Sequence, residues 1–158
     1  MSDISDADQG VLARHQAALA EGRFLIQKCD DCGQHIYFPR EICPHCGSGA
    51  VQFVAPGGQG TVYAVTTVRR KAAEGGDYNV SLIDLDEGPR LMSRVDNLPP
   101  DDVKIGQRVR ARVVVADGKG VVVFDAVDGE NMPPRSSLRV FAAPQEGEAS
   151  FEAARQEA

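Results

Sequence analysis

The four cysteines of the chain lie in two short segments of the same form, Cys-x-x-Cys-Gly, at residues 29–33 and 43–47. In such a knuckle, backbone N–H groups point at the thiolate sulfurs and the glycine relieves the strain of a positive φ. Ten residues separate the two cysteine pairs, fewer than the common spacer of about 15 to 20, but enough for two short strands and a turn. The pattern predicts a zinc ribbon in which one tetrahedral metal ion is held by Cys29, Cys32, Cys43 and Cys46.

Four thiolates close the coordination shell, whereas a catalytic zinc keeps one position for water or substrate, so we expect a structural ion. His45 lies inside the second knuckle and His35 lies three residues after the first, so either could replace a cysteine as ligand. Rubredoxin-like iron uses the same four sulfurs. The absence of Trp and an aromatic content of 6% disfavour an electron-transfer iron. Two disulfides or four unrelated thiols are the remaining alternative, which a reducing compartment disfavours.

The acidic balance of the chain limits what it binds. The 158 residues carry a formal net charge of −6, whereas a nucleic-acid-binding protein needs a basic stripe that displaces counterions. No segment approaches the roughly 18 to 20 apolar residues of a membrane helix. The first ten residues are acidic, where a signal or transit peptide would be basic. We therefore expect a cytoplasmic protein that binds neither nucleic acid nor membranes.

The pattern along the chain predicts a mainly β protein with one N-terminal helix. Residues 1–23 form the helical segment, because Val11, His15 and Leu19 recur at helical spacing and Gly22 would end the helix. Residues 24–55 form the ribbon, which has so few apolar side chains that the metal must supply much of its stability. Residues 56–133 contain five strand-like runs between turn-forming segments, at residues 61–68, 78–85, 90–95, 109–115 and 121–127.

Five strands in about 80 residues, with a long irregular link between the third and the fourth, indicate the small Greek-key barrel called the OB-fold. An SH3-like barrel and an open sandwich are the alternatives. Only the link at residues 96–106 is long enough to hold even a short helix. Residues 134–158 are polar and acidic, and we expect them to form a mobile tail.

No arrangement of residues indicates a catalytic centre. The chain has no G-x-S-x-G, no G-x-G-x-x-G that opens a helix and no H-E-x-x-H. The carboxylate pairs Asp84/Asp86 and Asp101/Asp102 are typical of solvated turns. A dithiol-exchange role would need a C-x-x-C beside a βαβ pattern, which is missing. We therefore assign no catalytic residue.

Three further segments point to a family. Tyr-Phe-Pro-Arg at residues 37–40 stands before the second knuckle, Gly-Thr-Val-Tyr at 60–63 opens the barrel, and Leu-Asp-Glu-Gly-Pro-Arg-Leu follows at 85–91. With the cysteines, they resemble the DUF35 family of zinc-ribbon plus OB-fold proteins over about residues 15 to 130. The resemblance implies a non-catalytic accessory subunit that pairs with a thiolase-like enzyme, or sometimes with an acyl-CoA hydratase or aldolase subunit. The larger partner would hold the catalytic residues.

The resemblance also implies that the chain helps to shape an acyl-CoA site. Arg40, in the matching Phe-Pro-Arg step, and Arg69 and Arg70, after the matching first barrel strand, are the candidate contacts. CoA carries a pyrophosphate and a 3′-phosphate, which favour the fork of a guanidinium. The helix lacks the family's usual aromatic pair, which leaves the partner geometry and the acyl group open. An OB-fold nucleic-acid-binding protein is the alternative function, followed by a rubredoxin-like iron redox protein.

Overall fold

The computed structural model describes residues 10–131, with side chains described to residue 127. The tail expected at residues 134–158 lies outside this part. Within it, no helix is long and apolar enough to cross a bilayer. The described chain contains one α-helix, α1 (Val11–Ala20), followed by the strands β1 (Ile26–Cys29), β2 (His35–Ile36), β3 (Val51–Val54), β4 (Gln59–Val68), β5 (Tyr78–Leu85), β6 (Arg90–Ser93), β7 (Gln107–Ala116) and β8 (Lys119–Asn131).

The helix buries the stripe that its spacing predicts, except for Leu12, which the same spacing also places on that stripe. His15 and Leu19 are buried together with Val11 and Ala18, whereas Leu12 is 47% exposed. Gly22 ends the helix as expected, with a φ of 80°. The N–H of the residue after it, Arg23, donates to the carbonyl of Ala18 at 2.8 Å and satisfies a helix-end acceptor.

The ribbon is a three-stranded antiparallel sheet in the order β2-β1-β3. The sequence predicts two of these strands. The third, β3, returns after the second knuckle and pairs with β1 from Cys29 opposite Val51 to Ile26 opposite Val54. Its identity as a strand depends on the pairing with β1, which residues 51–54 by themselves do not show.

The second sheet has the order β6-β5-β4-β7-β8, and all of its neighbouring strands are antiparallel. A parallel bridge between Val95, just after β6, and Phe124 in β8 joins the two ends of the sheet. Around this bridge, the N–H of Asp96 donates to the carbonyl of Phe124 at 2.8 Å. This closure of five strands confirms the predicted OB-fold class.

The five barrel strands lie where the sequence predicts them, but the links differ in one respect. A single turn of 3-10 helix, Ala72–Glu74, lies in the first link, between β4 and β5. The link at residues 96–106 contains turns and no helix. The expectation that only this longer link could hold a helix is therefore wrong. Gly75, at a φ of 103°, ends the short helical turn.

One apolar core connects the helix, the ribbon and the barrel. Phe124, Ile83 and Val62 of the barrel lie in the same buried cluster as Leu19 of α1 and Ile26 of β1. The ribbon's own cluster is much smaller and consists mostly of cysteine side chains. The ribbon is therefore anchored on the barrel through β1. Its outer half, residues 29–51 with the two knuckles, depends on the metal site for its stability.

His15 occupies the junction between the helix and the ribbon. Its side chain is 1% exposed, its ring stacks on Phe53 of β3 at 6.3 Å between centroids, and it meets the ring of Tyr37 edge-on at 5.8 Å. Within the described part of the chain, neither ring nitrogen has a hydrogen-bond partner. Desolvation lowers the pKa of His15, and a weaker attraction to the backbone of Leu25 opposes this effect. Burial therefore favours the neutral form of His15 in the folded protein.

A pH-dependent stability follows from His15. Because its folded pKa lies below the ordinary value of 6.5, its contribution to stability is fully present above pH 6.5 and is lost as the pH falls through that value toward the folded pKa. Urea unfolding of the wild type and of His15→Leu at several pH values between 5 and 8 measures this contribution. We expect a shallower slope of unfolding free energy against pH in His15→Leu. Equal slopes for the wild type and His15→Leu would contradict the prediction.

Candidate metal centre

The two knuckles have the same local structure. The N–H of Gly33 donates to the carbonyl of Cys29, and the N–H of Gly47 donates to the carbonyl of Cys43, both at 2.9 Å. The two glycines have φ values of 71° and 77°, a conformation that side chains with a Cβ rarely adopt. In addition, the N–H of His45 points at the Sγ of Cys43 at 3.4 Å. The predicted knuckle geometry is therefore present at both pairs.

The structure brings the four cysteine sulfurs into one cluster. All four lie within 4.8 Å of one another. The Sγ atoms of Cys29 and Cys46 are 3.6 Å apart, and those of Cys32 and Cys43 are 3.7 Å apart. All four thiols are free of disulfides. A tetrahedral ion with metal–sulfur bonds of about 2.3 Å places its ligands about 3.8 Å apart, so the cluster fits a structural metal ion, for which zinc is typical.

The cysteines of the cluster shift one another's pKa values in different directions. Desolvation raises the pKa of Cys43, but backbone N–H groups of His45 and Cys46 and two neighbouring thiols lower it to about 7. A backbone hydrogen bond from Ser48 lowers the pKa of Cys46, but desolvation and the neighbouring sulfurs raise it to about 12. The raised pKa values of Cys32 and Cys46 mean that these two thiols hold their protons more tightly than an ordinary cysteine does. Metal binding must displace these protons, so the affinity rises with pH.

The two histidines near the knuckles do not join the cluster. Within the described residues, the one group that could hold a metal consists of the four cysteines alone. His35 and His45 instead line a groove of about 340 Å³ between the ribbon and the turn that joins β5 to β6. Arg40 and Arg90 line the same groove. The groove therefore carries four basic side chains and no carboxylate among its lining residues.

The backbone around Arg40 is held by a buried side chain that the sequence did not single out. The side-chain amide of Gln27 donates to the carbonyl of Arg40 at 3.0 Å, and its oxygen accepts from the N–H of Arg40 at 2.7 Å. Gln27 is 2% exposed. A glutamine directly after the apolar run at residues 24–26 is the only signal in the sequence, and it does not say what the amide binds. Arg40 itself is exposed and has no ion-pair partner within the described part of the chain.

Arg69 and Arg70 lie elsewhere, in the link after β4. The guanidinium of Arg69 bonds Asp77 at 2.6 Å and Asp101 at 2.9 Å, and these two carboxylates raise its pKa. The guanidinium of Arg70 lies 5.0 Å above the ring of Tyr78. Neither arginine lines the groove of Arg40. The three predicted phosphate contacts therefore do not meet in one site.

Known proteins share both parts of this architecture. The family model of the rubredoxin-like zinc ribbon domain of ChsH2 matches residues 16–52, and that of the C-terminal OB-fold domain of ChsH2 matches residues 53–114. A DUF35 domain-containing scaffold protein of Methanocaldococcus jannaschii is 33% identical over 105 residues, which are 61% of this chain and 74% of that protein. The chain belongs to the DUF35 family. The family inferred from the sequence is thus confirmed.

Two further matches relate this DUF35 chain to enzymes. A probable enoyl-CoA hydratase alpha subunit of Thermomonospora curvata is 33% identical over 94 residues, which are 58% of this chain and only 30% of that longer relative. Among solved structures, a chain of the Ltp2-ChsH2(DUF35) aldolase matches with a TM-score of 0.66 and 27% identity. That match covers 80% of this chain and 98% of the other.

Proposed function

We propose that this DUF35 chain is an accessory subunit that scaffolds a larger acyl-CoA enzyme and performs no chemistry of its own. The observation that carries the proposal is the structural match to a chain of the Ltp2-ChsH2(DUF35) aldolase, because it extends over 98% of that chain. The scaffold proteins and the hydratase subunit among its relatives support the same function. Its partner would be a thiolase-like subunit, or else a hydratase or aldolase subunit, and would hold the catalytic residues.

In this proposal the metal is a structural zinc ion with Cys29, Cys32, Cys43 and Cys46 as ligands. The distances between the sulfurs and the closed shell of four thiolates support it. When bound, the ion joins the two knuckles, which the small apolar cluster of the ribbon could not hold together by itself. Its contribution is mechanical, since the shell leaves no position for a substrate.

The groove between the ribbon and the barrel is the proposed contact with the phosphates of acyl-CoA. Arg40 would bind them, because its guanidinium is exposed, lacks an ion-pair partner within the described residues and shares the groove with His35 and His45. Arg69 and Arg70 stay a prediction. A phosphate at Arg69 would first have to displace the carboxylates of Asp77 and Asp101.

Co-expression with the thiolase-like, hydratase-like and aldolase-like subunits of the source organism tests this function. We expect one of them to form a stoichiometric complex with the chain, and acyl-CoA turnover by the complex but not by the chain alone. In that complex, Arg40→Ala should raise KM for acyl-CoA about tenfold, the loss of one charge-assisted contact, with kcat little changed.

Arg110→Ala is the matched control, because Arg110 is also exposed but lies on β7 and does not line the groove. It should keep the wild-type KM. Full activity of the chain alone would refute the accessory role. Equal KM values for the two variants would refute only the assignment of Arg40.

A further inference from the structure

The barrel presents an apolar surface that the proposed metal site and groove do not use. In the strand register, Ala64 of β4 lies opposite Leu82 of β5, which lies opposite Met92 of β6. Val80 lies two residues before Leu82 on the same side of β5, opposite Thr66 of β4. We call this surface the outer β4–β6 face, with Tyr63 at one end and Tyr78 at the other; its residues are Tyr63, Ala64, Thr66, Tyr78, Val80, Leu82 and Met92.

The alternation of β5 shows that this face points away from the core. Asn79, Ser81, Ile83 and Leu85 are buried, whereas the residues between them are only half-buried. Met92 is 71% exposed and Tyr63 is 51% exposed. Apolar side chains thus form a continuous row across three strands in contact with water. Such a patch with polar residues at its rim marks an interaction surface more often than an ordinary monomer surface.

An arginine lies over the tyrosine at each end of the face. The guanidinium of Arg90 lies 3.3 Å from the ring centroid of Tyr63, and that of Arg70 lies 5.0 Å from the ring centroid of Tyr78. Arg90 also donates two hydrogen bonds to Asp84, at 2.5 Å and 3.1 Å. These contacts fix the large side chains before any partner arrives, which lowers the entropy cost of binding. Tyr, Arg and Met are also the residue types enriched in protein interfaces.

The charges around the face indicate which kind of partner it fits. Asp84 neutralises Arg90, and Asp96 neutralises Arg94 at 2.7 Å. A nucleic acid needs cations that are available for its phosphates, but these two arginines are already paired with carboxylates. An uncharged, apolar protein surface needs none, so the centre of this face, at Leu82 and Met92, is complementary to a protein rather than to a polyanion.

We propose that the outer β4–β6 face is the surface on which the partner enzyme subunit docks, through an apolar and uncharged patch of its own. The proposal rests on the accessory function proposed above. β5 and β6 are the second and third strands of the barrel, the strands whose outer face binds ligands in many OB-folds. Here that face carries Leu82 and Met92 at its centre, where a reader of single-stranded nucleic acid would carry stacking aromatics and free basic groups.

The test measures the affinity between this chain and the subunit with which the wild type forms the stoichiometric complex. Met92→Asp places a carboxylate in the centre of the face and should weaken binding at least about 30-fold, as expected for a central interface residue. Thr66→Arg, which adds bulk and charge at an exposed position of the same face, should also weaken it. Val121→Asp is the matched control, since Val121 is 57% exposed on β8, outside this face. It should bind like the wild type.

Each variant is first checked for wild-type circular dichroism and metal content. If Met92→Asp and Thr66→Arg both bind like Val121→Asp, the docking surface is wrong and the accessory function stands. If the wild type binds none of the subunits, both proposals fail. A dimer of the chain alone that Met92→Asp dissociates would assign the face to a second copy. Binding of a single-stranded oligonucleotide that Met92→Asp abolishes would assign it to nucleic acid, and either result overturns the proposal.

Discussion

Replacing Cys43 by serine is expected to remove the metal and unfold the outer half of the ribbon, while the barrel strands stay folded. Cys43 is buried, and the backbone N–H of His45 points at its sulfur. The neutral hydroxyl of a serine is a much weaker metal ligand than a thiolate. Structural zinc supplies an apparent ~10 to 16 kcal/mol in small fingers at neutral pH. The ribbon cluster of Cys29, Ile36 and Cys43 is too small to replace that contribution.

Metal analysis and hydrogen exchange together measure this effect. We expect one zinc per colourless wild-type chain, less than a tenth of that in Cys43→Ser, and lost amide protection at residues 29–51 but not in β4 to β8. His45→Ala is the matched control, because His45 lies inside the second knuckle without joining the sulfur cluster. Its metal content should equal that of the wild type. Visible thiolate-to-iron absorption in the wild type would identify iron instead, and retained metal in Cys43→Ser would refute the four-thiolate shell.

Replacing Gly120 by alanine is expected to lower the free energy of unfolding by about 3 kcal/mol, the upper part of the range for overpacking. A Cβ at this position would lie 2.0 Å from the carbonyl oxygen of Leu19 and 2.2 Å from its carbonyl carbon. These are backbone atoms at the end of α1, so no side-chain rotation relieves the clash. Either β8 shifts or the helix leaves the barrel and takes Leu19 out of the core.

Urea unfolding followed by circular dichroism measures this loss. Gly49→Ala is the control, because a Cβ there would meet no atom within 4 Å and Gly49 does not have a positive φ. It should change stability by less than about 0.5 kcal/mol. Unfolding midpoints of Gly120→Ala and Gly49→Ala that coincide would show that the helix does not pack against β8 as described.

Local features explain which elements could be predicted from the sequence. The knuckles depend on residues within five positions of each other, and the barrel strands are bounded by turn-forming segments such as residues 86–89. The bridge between Val95 and Phe124 closes the barrel across 29 positions, and nothing in either local segment encodes it. Strand β3 was missed for the same reason, since its identity as a strand depends on pairing with β1.

The candidate binding site was predicted less completely than the cysteine cluster. A guanidinium looks the same in a sequence whether it is available, like that of Arg40, or already held by carboxylates, like that of Arg69. His15 could be placed on the buried stripe of the helix, but its ring packs against Phe53 and Tyr37, which lie in the ribbon, and among the described residues neither ring nitrogen has a hydrogen-bond partner. These are properties of packing between elements, which helical or strand periodicity does not report.

The side-chain amide of Gln27 holds the backbone of Arg40, which lies thirteen positions further along the chain. By donating to the carbonyl of Arg40 and accepting from its N–H, it imitates a neighbouring strand for a single residue of the loop. An amide can do both, whereas a carboxylate has no proton to donate and an ammonium has no lone pair to offer. An isosteric exchange to glutamate would therefore turn one of the two attractions into a repulsion between oxygens. The backbone that carries the Arg40 side chain is therefore held from inside the ribbon, by a side chain that is only 2% exposed.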